Sequence, residues 1–136
     1  MRQSLEGVSV EKVMVGDVVT VSPELCVEEA AQEYFLRYGH GGFPVVQEGK
    51  AVGVISLMSL KDVPAEERRA RTVRDTMVPL SAAIQIQADD SLVEALKKMT
   101  QAGMGRLLVM RGDQYVGMIT KSGLLRFMEI KQVLGQ

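Results

Sequence analysis

The chain has no tryptophan, one cysteine and one histidine. A lone thiol, Cys26, cannot close an internal disulfide, so the fold must hold without covalent staples, as fits a reducing compartment. A lone imidazole, His40, with no cysteine cluster beside it, does not make a conventional metal site, and no metal is expected. Cys26 and His40 stand in different elements with no acid or base patterned to serve them. No catalytic residue is therefore assigned, and the chain does not read as an enzyme. Aromatic residues make up 4% of the chain, too few for ranks of base-stacking platforms. The formal net charge is −1, which leaves no basic field to hold a nucleic-acid backbone, and nucleic acid is excluded as a partner. No apolar run approaches the roughly 18 residues needed to span a bilayer. Met1 to Val10 carries one basic residue and no apolar h-region, so it does not read as a signal peptide. Direct membrane insertion is not expected, and a cytoplasmic location is.

What is present is an ordinary globular composition. The 136 residues are 46% hydrophobic and 24% charged, the size of one domain with enough apolar material for a core. The nine methionines suit the filling of irregular core gaps.

The most informative feature is an internal repeat. Val13-Met14 is echoed by Thr76-Met77, and Val19-Thr20-Val21-Ser22 by Ile84-Gln85-Ile86-Gln87. Ala30 matches Ala95 at an offset of 65, whereas Gly53 matches Gly117 at an offset of 64. The first copy has therefore gained one residue between Ala30 and Gly39, or the second has lost one. The copies span residues 10–63 and 73–131, with a polar linker over 64–72.

Each copy repeats one order of elements. A short alternating strand comes first, Val18 to Val21 or Ala83 to Ile86. An amphipathic helix follows. In copy one Val27, Ala30, Ala31, Tyr34, Phe35 and Tyr38 form its buried stripe; in copy two Leu92, Ala95, Leu96 and Met99 do. Ser91 with Glu94 predicts a capping box, and Cys26 a weaker cap. Gly39 and Gly103 suit left-handed helix ends. Two strands joined by a Gly-containing turn come next: Phe43 to Val46 with Ala51 to Ile55, and Leu107 to Met110 with Tyr115 to Ile119. A second helix closes each copy, the last over about Gly123 to Leu134 with a wide apolar surface. The fold class is α+β: two tandem βαββα motifs, expected to pack with pseudo-twofold symmetry.

These segments resemble the CBS family. The likeness rests on Gly39 to Val46 with Gly53-Val54-Ile55-Ser56, and on Gly103 to Met110 with Gly117-Met118-Ile119-Thr120. The ordered set, occurring twice, is that of a CBS domain pair, or Bateman module. The run Glu33 to Val46, the segment Val63 to Arg68 and the tail Arg126 to Gly135 are further similar to the cytosolic modules of site-2-type membrane zinc metalloproteases (peptidase family M50). The His-Glu-x-x-His motif of those enzymes is absent here.

The resemblance implies a regulatory domain that binds an adenine nucleotide or relative (AMP, ADP, ATP or S-adenosylmethionine) in clefts between the motifs. An orientation change would then pass to a fused or partner protein, such as a membrane metalloprotease. It also implies a homodimer through the closing helices, and no required cofactor. The nucleotide-binding candidates in copy one are Thr20, Val21, His40, Gly41, Gly42, Phe43, Pro44, Ser56 and Ser59. In copy two they are Gln85, Ile86, Met104, Gly105, Arg106, Leu107, Thr120 and Lys121. The strands and glycine-rich segments would form an apolar slot for adenine. Ser56 and Thr120 hold the family's hydroxyl positions, where they also read as helix N-caps. Arg106 and Lys121 either grip phosphate or lie as exposed residues beside a strand and in a first helical turn. The family commonly places an aspartate three residues after the hydroxyl; Ser59 and Gly123 stand there instead. Losing that carboxylate removes a charge-assisted bond of roughly 1.5–3 kcal/mol. The copy-one pocket is thus the favoured one, and the alternative is a ligand-free dimerisation or protein-interaction module.

Overall fold

In both copies the two apolar runs close as antiparallel hairpins in the computed structural model, which describes residues 7–136. Residues 1–6, part of the stretch read above for a leader, lie outside the described residues. The chain forms two compact units. The first is Val18–Ser81; the second joins the segment up to Asp17 to Ala82–Gln136. Among the described residues no helix is long and apolar enough to cross a membrane.

In the first unit, β1 (Gly42–Gln47) pairs with β2 (Lys50–Ser56). Glu48 and Gly49 both have positive φ, 51° and 81°, as a tight hairpin turn requires. A short β3 (Val78–Pro79) pairs antiparallel with β2, and Val21 bridges Val45 of β1 in parallel. The helices are α1 (Val27–Ala30), α2 (Leu57–Lys61) and α3 (Val73–Thr76). Val21, Ala30, Phe35, Phe43, Val45, Ile55 and Val73 make the core.

The second unit repeats this plan. Its β4 (Gln85–Gln87) runs parallel to β5 (Arg106–Arg111), which pairs antiparallel with β6 (Gln114–Thr120). Val15 bridges Met118 on the far edge of β6. The helices are α4 (Leu92–Ala102) and α5 (Lys121–Val133). Ile86, Leu92, Ala95, Leu107, Val109, Ile119 and Leu124 form the core together with Val10. Val10 and Val73 are both fully buried, each leading an arm that lies along the last strand of its unit's hairpin. The glycine that opens each Gly-Val-Ile-Ser or Gly-Met-Ile-Thr run is explained by that arm. A Cβ on Gly53 would strike the Val78 carbonyl oxygen and sit 2.8 Å from Met77 Sδ; one on Gly117 would sit 2.6 Å from the Val15 carbonyl oxygen and 3.2 Å from Met14 Sδ.

The unequal repeat offset has a structural counterpart. After α1 the backbone continues as a π-helix over Ala31–Leu36, the wider turn that absorbs one extra residue. Gly39 then ends the helix at φ 71°, and Gly103 ends α4 at φ 66°. The π-helical turn lies between Ala30 and Gly39, the stretch to which the first of the two alternatives assigned a gained residue.

Other details depart from expectation. The strand predicted over Val18 to Val21 reduces to the single Val21 bridge. Its counterpart starts later, at Gln85, because Ala82–Ile84 coils into a 3₁₀ turn. Lys98 Nζ fixes that turn by donating to the carbonyls of Ala82 at 2.9 Å and Gln85 at 2.8 Å. The reciprocal capping box expected at Ser91 is half made: Ser91 Oγ accepts from the Glu94 N–H at 3.2 Å, while the Glu94 carboxylate turns to Lys97 at 3.6 Å. The full box forms at Cys26 instead, with both of its bonds at 3.5 Å. The last helix begins at Lys121 rather than Gly123, since Thr120 is its N-cap. Its apolar surface is less buried than its breadth suggests. Leu124 is buried, but Leu125 is 47%, Ile130 49% and Val133 81% exposed.

Candidate functional site

The copy-one candidates fall together inside the first unit, brought there by strand pairing. The Val21 N–H donates to the Pro44 carbonyl at 2.9 Å, and the Val46 N–H to the Val21 carbonyl at 3.0 Å. Gly42 stands opposite Ser56 in the hairpin, and the Leu57 N–H donates to the Gly41 carbonyl at 3.0 Å. Three segments distant in sequence, around Val21, His40–Pro44 and Ser56–Ser59, therefore meet along one sheet edge. They do not all face outward. Thr20 and His40 are exposed, and Gly41, Ser56 and Ser59 are partly so. Val21, Gly42, Phe43 and Pro44 are buried, with Phe43 fully inside the core.

Ser59 is already engaged. Its Oγ accepts from the Ser56 N–H at 3.2 Å while Ser56 Oγ accepts from the Ser59 N–H at 3.3 Å. This reciprocal box starts the five-residue α2.

The copy-two candidates gather inside the second unit. Gln85 stands beside Leu108 in the parallel pair, and Arg106 opposite Thr120 in the hairpin. The Lys121 N–H donates to the Gly105 carbonyl at 2.7 Å. Thr120 Oγ1 accepts from the Gly123 N–H at 3.0 Å and lies 3.3 Å from Ser122 Oγ. A cavity of about 380 Å³ opens here, lined by Met99, Thr100, Gly103, Met104, Gly105 and Lys121. Lys121 is exposed, whereas Ile86 and Leu107 are buried. Arg106 is half-buried, and its guanidinium has no ion pair or hydrogen bond among the described residues. Burial lowers its pKa below the ordinary guanidinium value, since desolvation disfavours the charged form. An unpaired cation in this setting favours an anionic neighbour.

One feature at the copy-one edge was not singled out by residue-type reasoning. The rings of Tyr34, Phe35, Tyr38, His40 and Phe43 form a single cluster. Phe35 meets Phe43 edge-on at 4.9 Å and Tyr34 meets Phe43 edge-on at 5.9 Å. His40 lies over Phe43 at 5.4 Å and 31°, and Tyr38 lies 6.0 Å from His40 at 37°. The signal was available in the sequence as an aromatic crowding of one short stretch.

The CBS domain family matches residues 10–66 and 73–130, and the chain belongs to that family. It is 29% identical over 131 residues, 95% of its length, to the putative zinc metalloprotease Rip3 of Mycobacterium tuberculosis. It is 29% identical over 128 residues, 94% of its length, to zinc metalloprotease MJ0392 of Methanocaldococcus jannaschii. The chain spans 33% and 34% of those two proteins. Among solved structures it resembles the CBS domain of a bacterial CNNM/CorC family Mg2+ transporter in complex with ATP. That likeness has a TM-score of 0.78 and 20% identity, over 97% of this chain and 91% of the other. It resembles the CBS domain pair of protein MJ0100 in complex with 5′-methylthioadenosine and S-adenosyl-L-methionine (TM-score 0.78, 21% identity, 91% and 98% covered). It also resembles CBSX2 in complex with AMP (TM-score 0.77, 22% identity, 90% and 98% covered). At these identities the structural likeness is one of fold.

Proposed function

We propose that this chain is a regulatory ligand-sensing module, not an enzyme. Its copy-one edge takes an adenosine-containing ligand: AMP, ADP, ATP or S-adenosylmethionine. The observation that carries this reading is the convergence of Val21, His40–Pro44 and Ser56–Ser59 on one sheet edge of the first unit. Backbone groups at such an edge can read the rim of a base, with exposed Thr20 and His40 beside it. Fold relatives that hold ATP, AMP or S-adenosyl-L-methionine support the choice of ligand class. At the second copy, Arg106 and Lys121 are the cations available to a phosphate. The sequence likeness to two zinc metalloproteases supports a membrane metalloprotease, fused or separate, as the regulated protein. A cytoplasmic location and a homodimer belong to the same reading. For binding to regulate, the ligand must prefer one of two states of the module.

A second reading has its own observation. Ser59 is held in a capping box and Gly123 has no side chain, so neither copy presents a carboxylate to a ribose. That favours an interaction module without ligand. Isothermal titration of ligand-free protein with AMP, ATP and S-adenosylmethionine separates the two. A dissociation constant below about 100 μM, weakened in Ser56→Ala, supports sensing; no heat up to about 1 mM leaves the interaction module. Phe43→Ala is not a useful probe, because Phe43 is core.

A further inference from the structure

The aromatic cluster of the first unit is lopsided. Most of the chain's rings are in it: of three tyrosines, three phenylalanines and one histidine, only Tyr115 and Phe127 lie elsewhere. Its inner members are structural, with Phe43 fully buried and Phe35 6% exposed. Its outer members are not spent on the core. Tyr38 is 42% exposed and His40 is exposed, although each ring leans on a neighbour at 6.0 Å or less from His40. The Arg37 guanidinium lies 5.7 Å from the centre of the Tyr38 ring, a cation–π contact that helps to hold the ring in place.

The local backbone explains how these rings come together. The extra residue in the π-helical Ala31–Leu36 turn displaces every later side chain by about 100° around the helix axis. Tyr38 therefore leaves the buried stripe and comes beside His40 at the start of the Gly41–Pro44 segment. Copy two lacks the extra residue, and Ala102 and Met104 stand at the matching positions, so it has no comparable rings. Single π-turns of this kind concentrate at functional sites.

We infer that Tyr38 and His40 form a base-stacking wall for the purine ring of an adenosine-type ligand at the copy-one edge. This rests on the sensing function proposed above and adds to it the group that selects the base. It also answers the missing aspartate. Stacking of a base on an aromatic side chain is worth about tenfold to a hundredfold in affinity, the same order as the loss of one charge-assisted bond to the ribose. In this chain recognition has shifted from the sugar hydroxyls to the base. Ligands with the same base should bind alike whatever their ribose substituents, and ribose 5-phosphate should gain nothing from Tyr38.

The test is an NMR titration of the whole chain with AMP and with ribose 5-phosphate, repeated for Tyr38→Leu and Tyr38→Phe. Circular dichroism on each variant checks that the fold is kept, as expected for a ring 42% exposed. The expected result has four parts. The adenine H2 and H8 signals of AMP shift upfield on binding to the parent chain. Tyr38→Leu weakens AMP about tenfold to a hundredfold and abolishes the shift. Tyr38→Phe retains both, and ribose 5-phosphate responds equally to all three proteins. If AMP binds the parent chain but Tyr38→Leu keeps its affinity and its upfield shifts, the stacking wall is overturned while the sensing function stands. If the parent chain binds neither AMP, ATP nor S-adenosylmethionine, both are overturned.

Discussion

Ser56 and Ser59 hold each other. Their hydroxyl oxygens lie 3.3 Å apart, and each accepts the other's backbone N–H. The position where the likeness to CBS motifs implies a ribose-binding carboxylate is here the third residue of a helical capping box. The chain shows elsewhere that an aspartate fits such a box. Thr72 Oγ1 accepts from the Asp75 N–H at 3.2 Å while Asp75 Oδ2 accepts from the Thr72 N–H at 3.3 Å. Ser59→Asp should therefore be accepted with the cap intact and one carboxylate oxygen free to take a ribose hydroxyl. Negative charge in the first turn also favours the helix, by about 0.3–1 kcal/mol. The expected outcome is unchanged or raised thermal stability and about a tenfold to hundredfold gain in AMP affinity. Calorimetry checks both, and a loss of affinity would sink the argument.

Gly123 offers the matching experiment in copy two. A Cβ there meets only Thr120 Oγ1, at 3.0 Å. Ser59 stands in the same relation to Ser56, so this hydroxyl contact is one the fold accommodates. Glycine is also among the poorest residues inside a helix, by roughly 0.8–1 kcal/mol against alanine. Gly123→Asp should stabilise α5 by about 0.5–1 kcal/mol and create a nucleotide response at the second copy where Arg106 and Lys121 stand. Chemical denaturation reads the first effect. A second binding event in calorimetry, lost in Arg106→Met, reads the other.

The two arm-facing glycines should behave in the opposite way. At Gly53 an added methyl meets the Val78 carbonyl oxygen, and at Gly117 the Val15 carbonyl oxygen at 2.6 Å. A backbone oxygen cannot rotate aside as a side chain can, so the strand and its arm must part. Gly53→Ala and Gly117→Ala should each cost about 1–3 kcal/mol, the range for overpacking. Shortening Met77 or Met14 to alanine should not rescue them, because the carbonyls remain. Midpoint shifts in urea unfolding test this, and full rescue by Met77→Ala would place the clash on the sulfur instead.

These glycines also show where the sequence was informative. Strand alternation, glycine turns and an internal repeat state the sheet of each copy, because a period of two with one buried face leaves little choice of register. The unequal offset bounded the stretch from Ala30 to Gly39 but left open a gain there or a loss from copy two, and the π-turn that absorbs one extra residue is visible only in the structure. Side-chain roles were less legible. Phe43 and His40 sit three residues apart in one apolar-looking segment, yet Phe43 is core and His40 is exposed. Tyr38 reads as the last member of a buried stripe only while the helix is assumed regular; one extra residue turns it outward. Ser59 reads as an available hydroxyl until its engagement with Ser56 is seen, and no linear pattern distinguishes a free hydroxyl from a capping one.

Tyr115 supplies the last test, through pH. Its hydroxyl oxygen is buried and has no hydrogen-bond partner among the described residues. Desolvation raises its pKa from the ordinary 10.0 to about 12, because a buried phenolate loses its hydration. The folded chain therefore holds the phenolic proton more tightly than the unfolded chain. Stability from this group is fully present below the unfolded value and falls as pH rises from about 10 through about 12, where the unfolded chain releases the proton and the folded chain does not. Tyr115→Phe removes both the unpaired hydroxyl and the titration. Because an unpaired buried hydroxyl costs rather than contributes, the variant should be as stable as the parent or up to about 1 kcal/mol more stable at neutral pH. Above pH 10 it should lose stability less steeply than the parent. Urea unfolding at pH 7, 10 and 11.5 measures both, and parallel decline of the two proteins above pH 10 would show that Tyr115 is not the group responsible.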